Sequence, residues 1–349
     1  MANSETTVPA IVLAGDGRAA KAVYGESKVY LEVGGRPLVS TVVSVLQRVP
    51  EVSAVWVVGD AERLQGALGS DVMKSELVKP LHIVEQFRSL YENGSETYRR
   101  LLPGAGPDGR DPEGSDLDLP VLFLSGDLPF ATPQEISAFV RDALETGASY
   151  LLGLVPAESL VDFLPASPGA PGVDPAMFNL REVRCRQSNL HLLRPGRIVN
   201  RVYIEEMYEH RYQKEWGHIA RLAWELIRSQ QGGLVVASYY MLMVLGGFAH
   251  RHRWFWVADR IRAFVPSRRI EVGVSALLGA EFRFVFTEAG GCAVDIDNEE
   301  ECDAARERYG EWIAAQRARA IKIYGNIPSP SAAPILKAAT SESSEEEDK

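Results

Sequence analysis

The hydrophobic positions of this chain alternate between short apolar runs and longer segments whose apolar residues recur at helical spacing. The apolar runs that predict strands or other extended pieces are residues 11–13, 29–33, 54–58, 81–84 and 119–124. Helical spacing occurs at residues 38–49, 61–68 and 96–102, and Ser95 is the predicted N-cap of the last of these helices. This alternation predicts right-handed βαβ units and a mostly parallel sheet.

The pattern changes in the second half of the chain. Residues 178–193 predict a long strand that carries several arginines, and residues 281–287 alternate apolar and polar side chains as a half-buried strand does. Residues 292–296 suit a further short strand. Between these strands, residues 195–270 have mostly helical spacing and predict a helical insertion.

These elements predict a single α/β domain over residues 1–330 with a Rossmann-like, three-layer α/β/α architecture. Its first half spans residues 9–155, and its second half spans residues 156–310. The insertion belongs to the second half. Residues 331–349 end in an acidic run and predict a disordered tail.

A turn of small residues follows the first predicted strand. The residues around this turn are Leu13, Ala14, Gly15, Asp16 and Gly17. Glycines let a backbone turn tightly and aim several N–H groups at one point, which is how such turns bind phosphate. Three cations follow, at Arg18, Lys21 and Lys28, in position to meet a polyphosphate. The glycine patterns of P-loops and of dinucleotide-binding folds are both absent.

A carboxylate stands directly after the predicted strand 119–124. Asp127 follows Ser125 and Gly126, and Thr132 and Pro133 begin the next helix as its N-cap and first residue. Ligands of parallel sheets bind beyond the carboxyl ends of strands, so Asp127 is a candidate to hold a Mg²⁺ that bridges two phosphates. The alternative is that Asp127 only caps the turn.

Acidic residues also crowd the start of the last predicted helix. Asp295, Asp297 and Glu301 lie within seven residues of one another. One interpretation is that these acids interact favourably with the helix dipole and have no further role. The other depends on the family that the three segments resemble.

The turn, the segment around Asp127 and this acidic run together resemble the MobA-like nucleotidyltransferases. The matching pieces are L-A-G-x-G-R followed by V-x-G-R-P-L, then G-D-x-P-F, then D-I-D at the end of a strand. This superfamily transfers a nucleotide from an NTP and has a single domain similar to the GT-A fold. The resemblance covers residues 9–155 well and residues 280–310 more loosely. It implies that residues 9–155 bind the nucleotide and that residues 156–310 bind the acceptor.

The resemblance implies roles for individual residues. Lys28 is similar to the family lysine that contacts phosphate, and Asp127 and Asp297 to the ligands of Mg²⁺. The residues implied to act in catalysis are Lys28, Arg18 and Asp127. Those implied to contact the nucleotide are Leu13, Ala14, Gly15, Asp16, Gly17, Lys21, Asn93 and Gly126. Arg186 and Asn189 are implied to bind the acceptor.

The chain departs from the family pattern within the glycine turn. Asp16 stands where the family has a second glycine, and an acid there opposes phosphate binding unless it points away or reaches a metal or ribose. Ala19 and Ala20 stand where the family has its arginine. Either Arg18 or Lys21 would then take the role of that arginine.

The charge and the cysteines narrow the range of functions. A formal net charge of −10 gives no general support for nucleic-acid binding, although part of that charge lies in residues 341–349. The three cysteines, Cys185, Cys292 and Cys302, make no paired motif and fit a reduced compartment. The first residues lack the pattern of a secretory signal. A cytoplasmic location is therefore predicted, with membrane association as an alternative.

The predicted insertion contains the most apolar stretch of the chain, residues 234–249. At about 16 residues it is shorter than the ~20 needed to span a bilayer. A basic and aromatic segment follows it. We weigh three interpretations: a core helix followed by a surface helix, a peripheral lipid contact through residues 234–265, and an oligomer interface. The sequence does not determine the oligomeric state.

The sequence as a whole predicts transfer of NMP from an NTP to a phosphorylated small-molecule acceptor, with Mg²⁺ as cofactor. Three alternatives remain open at this point. They are a molybdenum-cofactor guanylyltransferase, a GT-A glycosyltransferase that uses Asp295 and Asp297 as its D-x-D pair, and a non-catalytic nucleotide-binding or membrane-associated scaffold.

Overall fold

The computed structural model describes residues 6–16, 22–167, 169–173, 177–201, 204, 238–239, 241–242, 245–249 and 252–327. Gly17, Arg18 and Lys21 of the glycine turn lie outside the described residues. So do the predicted acidic tail and most of the predicted helical insertion.

The described chain contains twelve strands, and eight of them form one sheet. The strands are β1 (Val8–Leu13), β2 (Ala22–Val23), β3 (Glu26–Ser27), β4 (Glu32–Val33), β5 (Arg36–Pro37), β6 (Val52–Gly59), β7 (Leu81–Glu85), β8 (Val121–Ser125), β9 (Tyr150–Pro156), β10 (Phe178–Asn179), β11 (Arg184–Leu193) and β12 (Phe282–Phe286). The order in the sheet is β12-β9-β11-β8-β1-β6-β7, and β10 pairs with β11. β11 runs antiparallel to β8, β9 and β10, whereas the other neighbours are parallel. The predicted mostly parallel sheet is confirmed. The hairpins β2-β3 and β4-β5 stand outside it.

Helices cover both faces of this sheet. They are α1 (Leu38–Leu46), α2 (Ala61–Leu68), α3 (Asp71–Glu76), α4 (Leu90–Leu101), α5 (Pro133–Thr146), α6 (Phe255–Arg262), α7 (Ser267–Leu278) and α8 (Glu299–Tyr324). On one face, α1 and α5 pack on alternate residues of β1 such as Ala10 and Val12. On the other face, α4 packs on Ile11 through Tyr98. The three-layer α/β/α architecture follows from the burial of both faces.

The predicted long strand 178–193 is interrupted at residues 180–183, because the chain turns there, with the Leu180 N–H donating to the Val183 carbonyl at 3.2 Å, and β10 folds back onto β11.

Three other predicted elements differ from the structure. The predicted extended piece 29–33 begins instead as one turn of 3₁₀ helix, Lys28–Tyr30, because this turn buries Val29 and lets the Leu31 N–H donate to the Lys28 carbonyl at 3.1 Å. The predicted strand 292–296 is replaced by another such turn, Gly291–Ala293. The third difference is in α4.

The start of α4 was predicted six residues too late, and its N-cap is Ser89 rather than Ser95. The Ser89 hydroxyl accepts the N–H of Glu92 at 3.1 Å. Asn93 and Gly94, which predict a loop from propensity alone, lie inside the helix. Both residues are buried against the sheet, and a Cβ on Gly94 would be in ordinary contact with the Phe123 ring of β8, at 3.4 Å. Packing on β8 therefore outweighs local propensity.

None of the helices in the described part of the chain is both long and apolar enough to cross a membrane.

The position of the α4 cap can be tested by substitution. We expect Ser89→Ala to lower the free energy of unfolding by about 1 kcal/mol, because the Glu92 N–H loses its acceptor. Ser95→Ala is the matched control. The Ser95 hydroxyl only donates to the Glu92 carbonyl at 3.3 Å within the helix, so we expect a change of less than about 0.5 kcal/mol. Urea denaturation of both variants measures the difference, and a larger loss for Ser95→Ala would refute this assignment.

Candidate functional site

The carboxyl ends of β1 and β8 bring the glycine turn and the segment around Asp127 together. The Gly126 N–H donates to the Leu13 carbonyl at 3.1 Å. A Cβ on Gly126 would lie 3.2 Å from Cγ1 of Val29 and 3.4 Å from Cβ of Ala14, so a larger residue would press on both. The predicted neighbours Leu13, Ala14 and Gly126 are thus in contact.

Lys28 lies between two carboxylates from distant parts of the chain. Its Nζ is 2.8 Å from Oδ2 of Asp127 and 2.9 Å from Oδ1 of Asp297. Burial would lower the pKa of the Lys28 ammonium, but the charges of the two carboxylates and their hydrogen bonds outweigh burial and raise this pKa above its ordinary value. Lys28 is therefore a cation throughout the neutral range. The structure unites three of the residues predicted to form the site.

The two carboxylates differ in their surroundings. Asp127 is buried and accepts a hydrogen bond from the hydroxyl of Ser125. The Asp297 side chain is 45% exposed and stands just before α8, whose N-cap is Asn298. The Asp297 N–H donates to the Glu301 carboxylate at 2.8 Å, and the Glu301 N–H donates to the Asn298 side chain at 2.9 Å. These two hydrogen bonds fix the backbone of Asp297 against the first turn of α8.

Arg186 extends the same charged cluster toward β11. Its guanidinium donates to Oδ1 of Asp295 at 2.6 Å, and both side chains are largely buried. Burial raises the pKa of the Asp295 carboxyl, as do the nearby charges of Asp127 and Asp297, whereas Arg186 opposes the shift. A cation is thus required beside Asp295 to compensate the surrounding negative charge.

Asn189 lies on the same strand but serves the backbone. Its side-chain amide donates to the Cys292 carbonyl at 3.4 Å, in the turn that precedes Asp295. Of the two residues predicted to bind an acceptor, Arg186 therefore contacts the carboxylate cluster, and Asn189 supports the segment that carries it.

Asp16, the acid in the glycine turn, forms hydrogen bonds and an ion pair with side chains from neighbouring segments. Gln86 accepts the Asp16 N–H at 2.9 Å and donates to its carboxylate at 2.6 Å. Arg63 reaches the other carboxylate oxygen at 3.2 Å. These contacts keep the Asp16 charge compensated inside the turn. The same arginine pairs with Glu26 and lies over the Tyr30 ring.

Asn93 lies beside this turn, as its predicted role requires. Its side-chain oxygen accepts the Phe87 N–H at 2.6 Å, and a Cβ on Gly15 would lie 2.5 Å from its Nδ2. Only glycine fits at position 15 without displacing the Asn93 amide. Asn93 thus joins the segment after β7 to the turn after β1.

Arg63 and Gln86 were not among the residues predicted to form the site. Arg63 lies in the first turn of α2 after β6, the neighbour of β1, and Gln86 directly follows β7, the next strand along the parallel sheet. The carboxyl ends of parallel strands lie at one edge of a sheet. Polar residues directly after each predicted strand were therefore the sequence feature by which Arg63 and Gln86 could have been found.

The donor set suits a hard divalent cation that also binds phosphate. The described residues contain no group of three or more histidine, cysteine or acidic side chains arranged to hold a metal. Two carboxylates, Asp127 and Asp297, nevertheless approach a single cation, the Lys28 ammonium. Mg²⁺ is commonly held by one or two carboxylates together with substrate phosphates and water, so these residues fit that ion.

Glu135 of α5 fastens the segment that leads to Asp295 and Asp297. Its fully buried carboxylate accepts the Thr287 hydroxyl at 2.9 Å and the N–H groups of Gly290 and Cys292, each at 3.1 Å. Burial raises the pKa of this carboxyl, although the three hydrogen bonds oppose the shift. Gly291, which lies between two of these N–H donors, is also confined. A Cβ there would lie 1.9 Å from the Phe130 carbonyl oxygen. Glu135 and Phe130 therefore join this segment to the one that carries Asp127.

Removing the Glu135 carboxylate should destabilise the protein strongly. We expect Glu135→Ala to lower the free energy of unfolding by about 3 kcal/mol or more, since three buried donors lose their acceptor. Glu145→Ala is the matched control, because Glu145 is exposed on the same helix. Its effect should stay within about 0.5 kcal/mol in urea denaturation. Equal effects of the two substitutions would contradict the role given to Glu135.

Comparisons with known proteins bear on this fold. No protein-family model matches the chain. It is 26% identical over 139 residues to 2-C-methyl-D-erythritol 4-phosphate cytidylyltransferase from Chlorobium luteolum, a match that covers 40% of this chain. The match spans about half of that relative's length, 55%.

Two solved structures align with this chain. A hypothetical transferase from Thermus thermophilus aligns with a TM-score of 0.55 and 20% identity, over 85% of this chain and 100% of that one. The 4-diphosphocytidyl-2C-methyl-D-erythritol synthase from Anaerococcus prevotii aligns with a TM-score of 0.43 and 13% identity, over 88% of this chain and 97% of that one. The second TM-score is too low to support a conclusion about the fold. The first shows that this chain shares the fold of that transferase, which agrees with the predicted Rossmann-like α/β architecture.

Proposed function

We propose that this protein transfers an NMP group from an NTP to a phosphorylated small-molecule acceptor and releases pyrophosphate. The contact of the Lys28 ammonium with both Asp127 and Asp297, beside the glycine turn, carries the proposal. The cytidylyltransferase match supports it, since the name of that relative states a cytidylyl donor and a phosphorylated polyol acceptor. CTP and a sugar or polyol phosphate are therefore the first pair to test.

The reaction requires no proton-abstracting residue. A phosphate monoester has its second pKa near 6, so its oxygen is ionised at neutral pH. That oxygen attacks the α-phosphorus, the bond from this phosphorus to the bridging oxygen breaks, and pyrophosphate leaves with the electron pair. The protein has to align the two phosphates and to stabilise negative charge.

The described residues suit these two tasks. In this proposal the triphosphate binds beside the turn after β1, next to the permanent positive charge of Lys28. The Ala14 and Asp16 amides of the turn already donate to the Val58 carbonyl and to Gln86, so Lys28 would meet the phosphate charge. Asp127 and Asp297 would hold Mg²⁺, which, when bound, neutralises phosphate charge. Arg186 approaches from β11 and is the cation best situated for the acceptor phosphate, because guanidinium groups bind phosphate in a bidentate manner.

The alternatives differ in how well they agree with the site. A molybdenum-cofactor guanylyltransferase would use the same cluster of Lys28, Asp127 and Asp297 with another nucleotide and another acceptor. Only its substrates would distinguish it from the proposed transferase. A GT-A glycosyltransferase would need both Asp295 and Asp297 for its metal, whereas Asp295 is buried and bound to Arg186 at 2.6 Å. A non-catalytic scaffold would bind an NTP without turnover.

Pyrophosphate release tests the proposed reaction. The protein is incubated with Mg²⁺, each of the four NTPs and a panel of sugar, polyol and lipid phosphates. We expect release with one NTP and one acceptor. Lys28→Met and Asp127→Asn should each reduce the rate at least about 100-fold, as is typical when one electrostatic stabiliser of the transition state is removed.

Two substitutions of the same chemical kind serve as controls. Lys322→Met changes an exposed lysine of α8, and Asp162→Asn changes a carboxylate whose partner, Arg319, lies 3.0 Å away near the surface. Both should retain the full rate. NTP binding without release on any acceptor would favour the scaffold, and absence of NTP binding would refute the proposal.

The proposed requirement for Mg²⁺ can be tested separately. EDTA should abolish pyrophosphate release, and Mg²⁺ should restore it. Mn²⁺ takes the same oxygen ligands, so its binding can be followed by electron paramagnetic resonance without any turnover. We expect Asp297→Asn to weaken Mn²⁺ binding about tenfold or more in the presence of the NTP, and Asp162→Asn to leave it unchanged. Unaltered Mn²⁺ binding in Asp297→Asn would refute the role of Asp297 as a ligand.

A further inference from the structure

Exposed large apolar side chains are concentrated in one stretch of the described chain, and some of them are neighbours in space: the rings of Phe248 and Trp254 have centroids 6.3 Å apart, and Phe264 and Val272 line one groove. Eight of the fifteen exposed large apolar side chains in the described chain fall between positions 241 and 272. They are Met241, Leu245, Phe248, Trp254, Phe255, Trp256, Phe264 and Val272. Trp256 is 75% exposed and Phe264 is 69% exposed. We call this set the aromatic surface; exposed tryptophan and phenylalanine at such density indicate a partner.

The same part of the chain is basic. Residues 252–272 contain five arginines and two acidic residues, an excess of three positive charges in a chain of net charge −10. Arg253, Arg260 and Arg269 are exposed and form no ion pair with any residue that the structure describes. These three guanidinium groups are available to an anionic partner.

A groove crosses the aromatic surface beside α7. Apolar side chains and arginines line it together, including Tyr239, Phe264, Val272, Arg181, Arg268 and Arg269. Its volume is about 800 Å³. Apolar walls with a guanidinium rim suit a molecule that has an acyl or other apolar part and an anionic head.

The aromatic surface is attached to the acceptor side of the proposed site. The Arg181 N–H donates to the Val265 carbonyl at 2.8 Å, and the Ser267 N–H donates to the Glu182 carboxylate at 3.1 Å. Residues 181 and 182 lead directly into β11, the strand of Arg186. A partner on the aromatic surface would therefore lie next to the strand that carries Arg186.

We infer that the aromatic surface docks the protein onto an anionic lipid bilayer. Tryptophan and phenylalanine insert at the level of the headgroups, and each basic residue near an anionic membrane adds attraction. A second copy of the chain fits less well, because a two-fold interface would set this positive patch against itself. Nucleic acid would satisfy the arginines but leave the apolar walls of the groove in water. The inference concerns binding alone and does not depend on the proposed transferase activity.

Vesicle flotation with the full-length protein tests the inference. Neutral phosphatidylcholine vesicles are compared with vesicles that contain 30% phosphatidylglycerol, an amount of roughly physiological order. We expect binding to the anionic vesicles to be roughly a hundredfold stronger, at about fivefold for each of the three excess positive charges. Raising the salt to about 1 M should abolish most of this difference, because the Debye length falls to ~3 Å.

Substitutions distinguish vesicle binding through the aromatic surface from nonspecific electrostatic or hydrophobic binding. Trp256→Ser with Phe264→Ser should reduce vesicle binding at least about tenfold, and Arg260→Gln with Arg269→Gln should remove most of the preference for anionic lipid. Val72→Ser with Val161→Ser is the matched control, since these side chains are 62% and 57% exposed elsewhere on the surface. Far-ultraviolet circular dichroism establishes that all variants are folded.

The remaining outcomes would overturn the inference. One is equal binding of the Trp256→Ser, Phe264→Ser variant and the parent protein. Another is a dimer in sedimentation that the same variant loses while vesicles are not bound. A third is binding to a single-stranded oligonucleotide without binding to either kind of vesicle.

Discussion

The ion pairs of Lys28 with Asp127 and Asp297 are the contacts on which the candidate site depends. Two carboxylates close together repel each other, and burial increases the energy of each charge, so their approach requires a cation between them. Lys28 supplies this cation from a turn of 3₁₀ helix rather than from a flexible loop. The same requirement for positive charge explains why a divalent ion is compatible with these residues once phosphates add further negative charge.

The remaining architecture brings the three segments to that point. β1 and β8 are parallel neighbours, so the turn before Lys28 and the segment of Asp127 meet at one edge of the sheet. Asp297 arrives from the far end of the sequence and has no such strand neighbour. Glu135 compensates for this, because it accepts three hydrogen bonds from the segment after β12 and so ties it to α5. The site is therefore supported by buried polar contacts as well as by the sheet.

The parts of this arrangement that could be predicted are those that local sequence determines. α2 matches its predicted bounds, and α5 begins at Pro133 after the Thr132 cap as predicted, since capping and apolar spacing act over a few residues. The predicted start of α4 was wrong, because the packing of α4 against Phe123 of β8 outweighs the poor helix propensity of Asn93 and Gly94. Glu135 could not be identified, since an acidic residue in a first helical turn usually indicates no more than a favourable dipole contact. Its partners lie more than 150 residues away, as the spacing from Glu135 to Thr287 illustrates.

The contacts of Asp16 bear on whether the altered glycine turn can still accept phosphate. An uncompensated acid there would repel a triphosphate, which is the strongest reason to consider a scaffold without activity. Gln86 and Arg63 hold the Asp16 carboxylate on the side of β6 and β7, and each of its oxygens already has a donor. Arg63 also pairs with Glu26, and Lys28 lies between Asp127 and Asp297, so in each cluster one cation faces two carboxylates. The contacts of Asp16 therefore reduce the electrostatic objection to phosphate binding at the turn without removing it, and a bound divalent cation would supply the positive charge that both clusters lack.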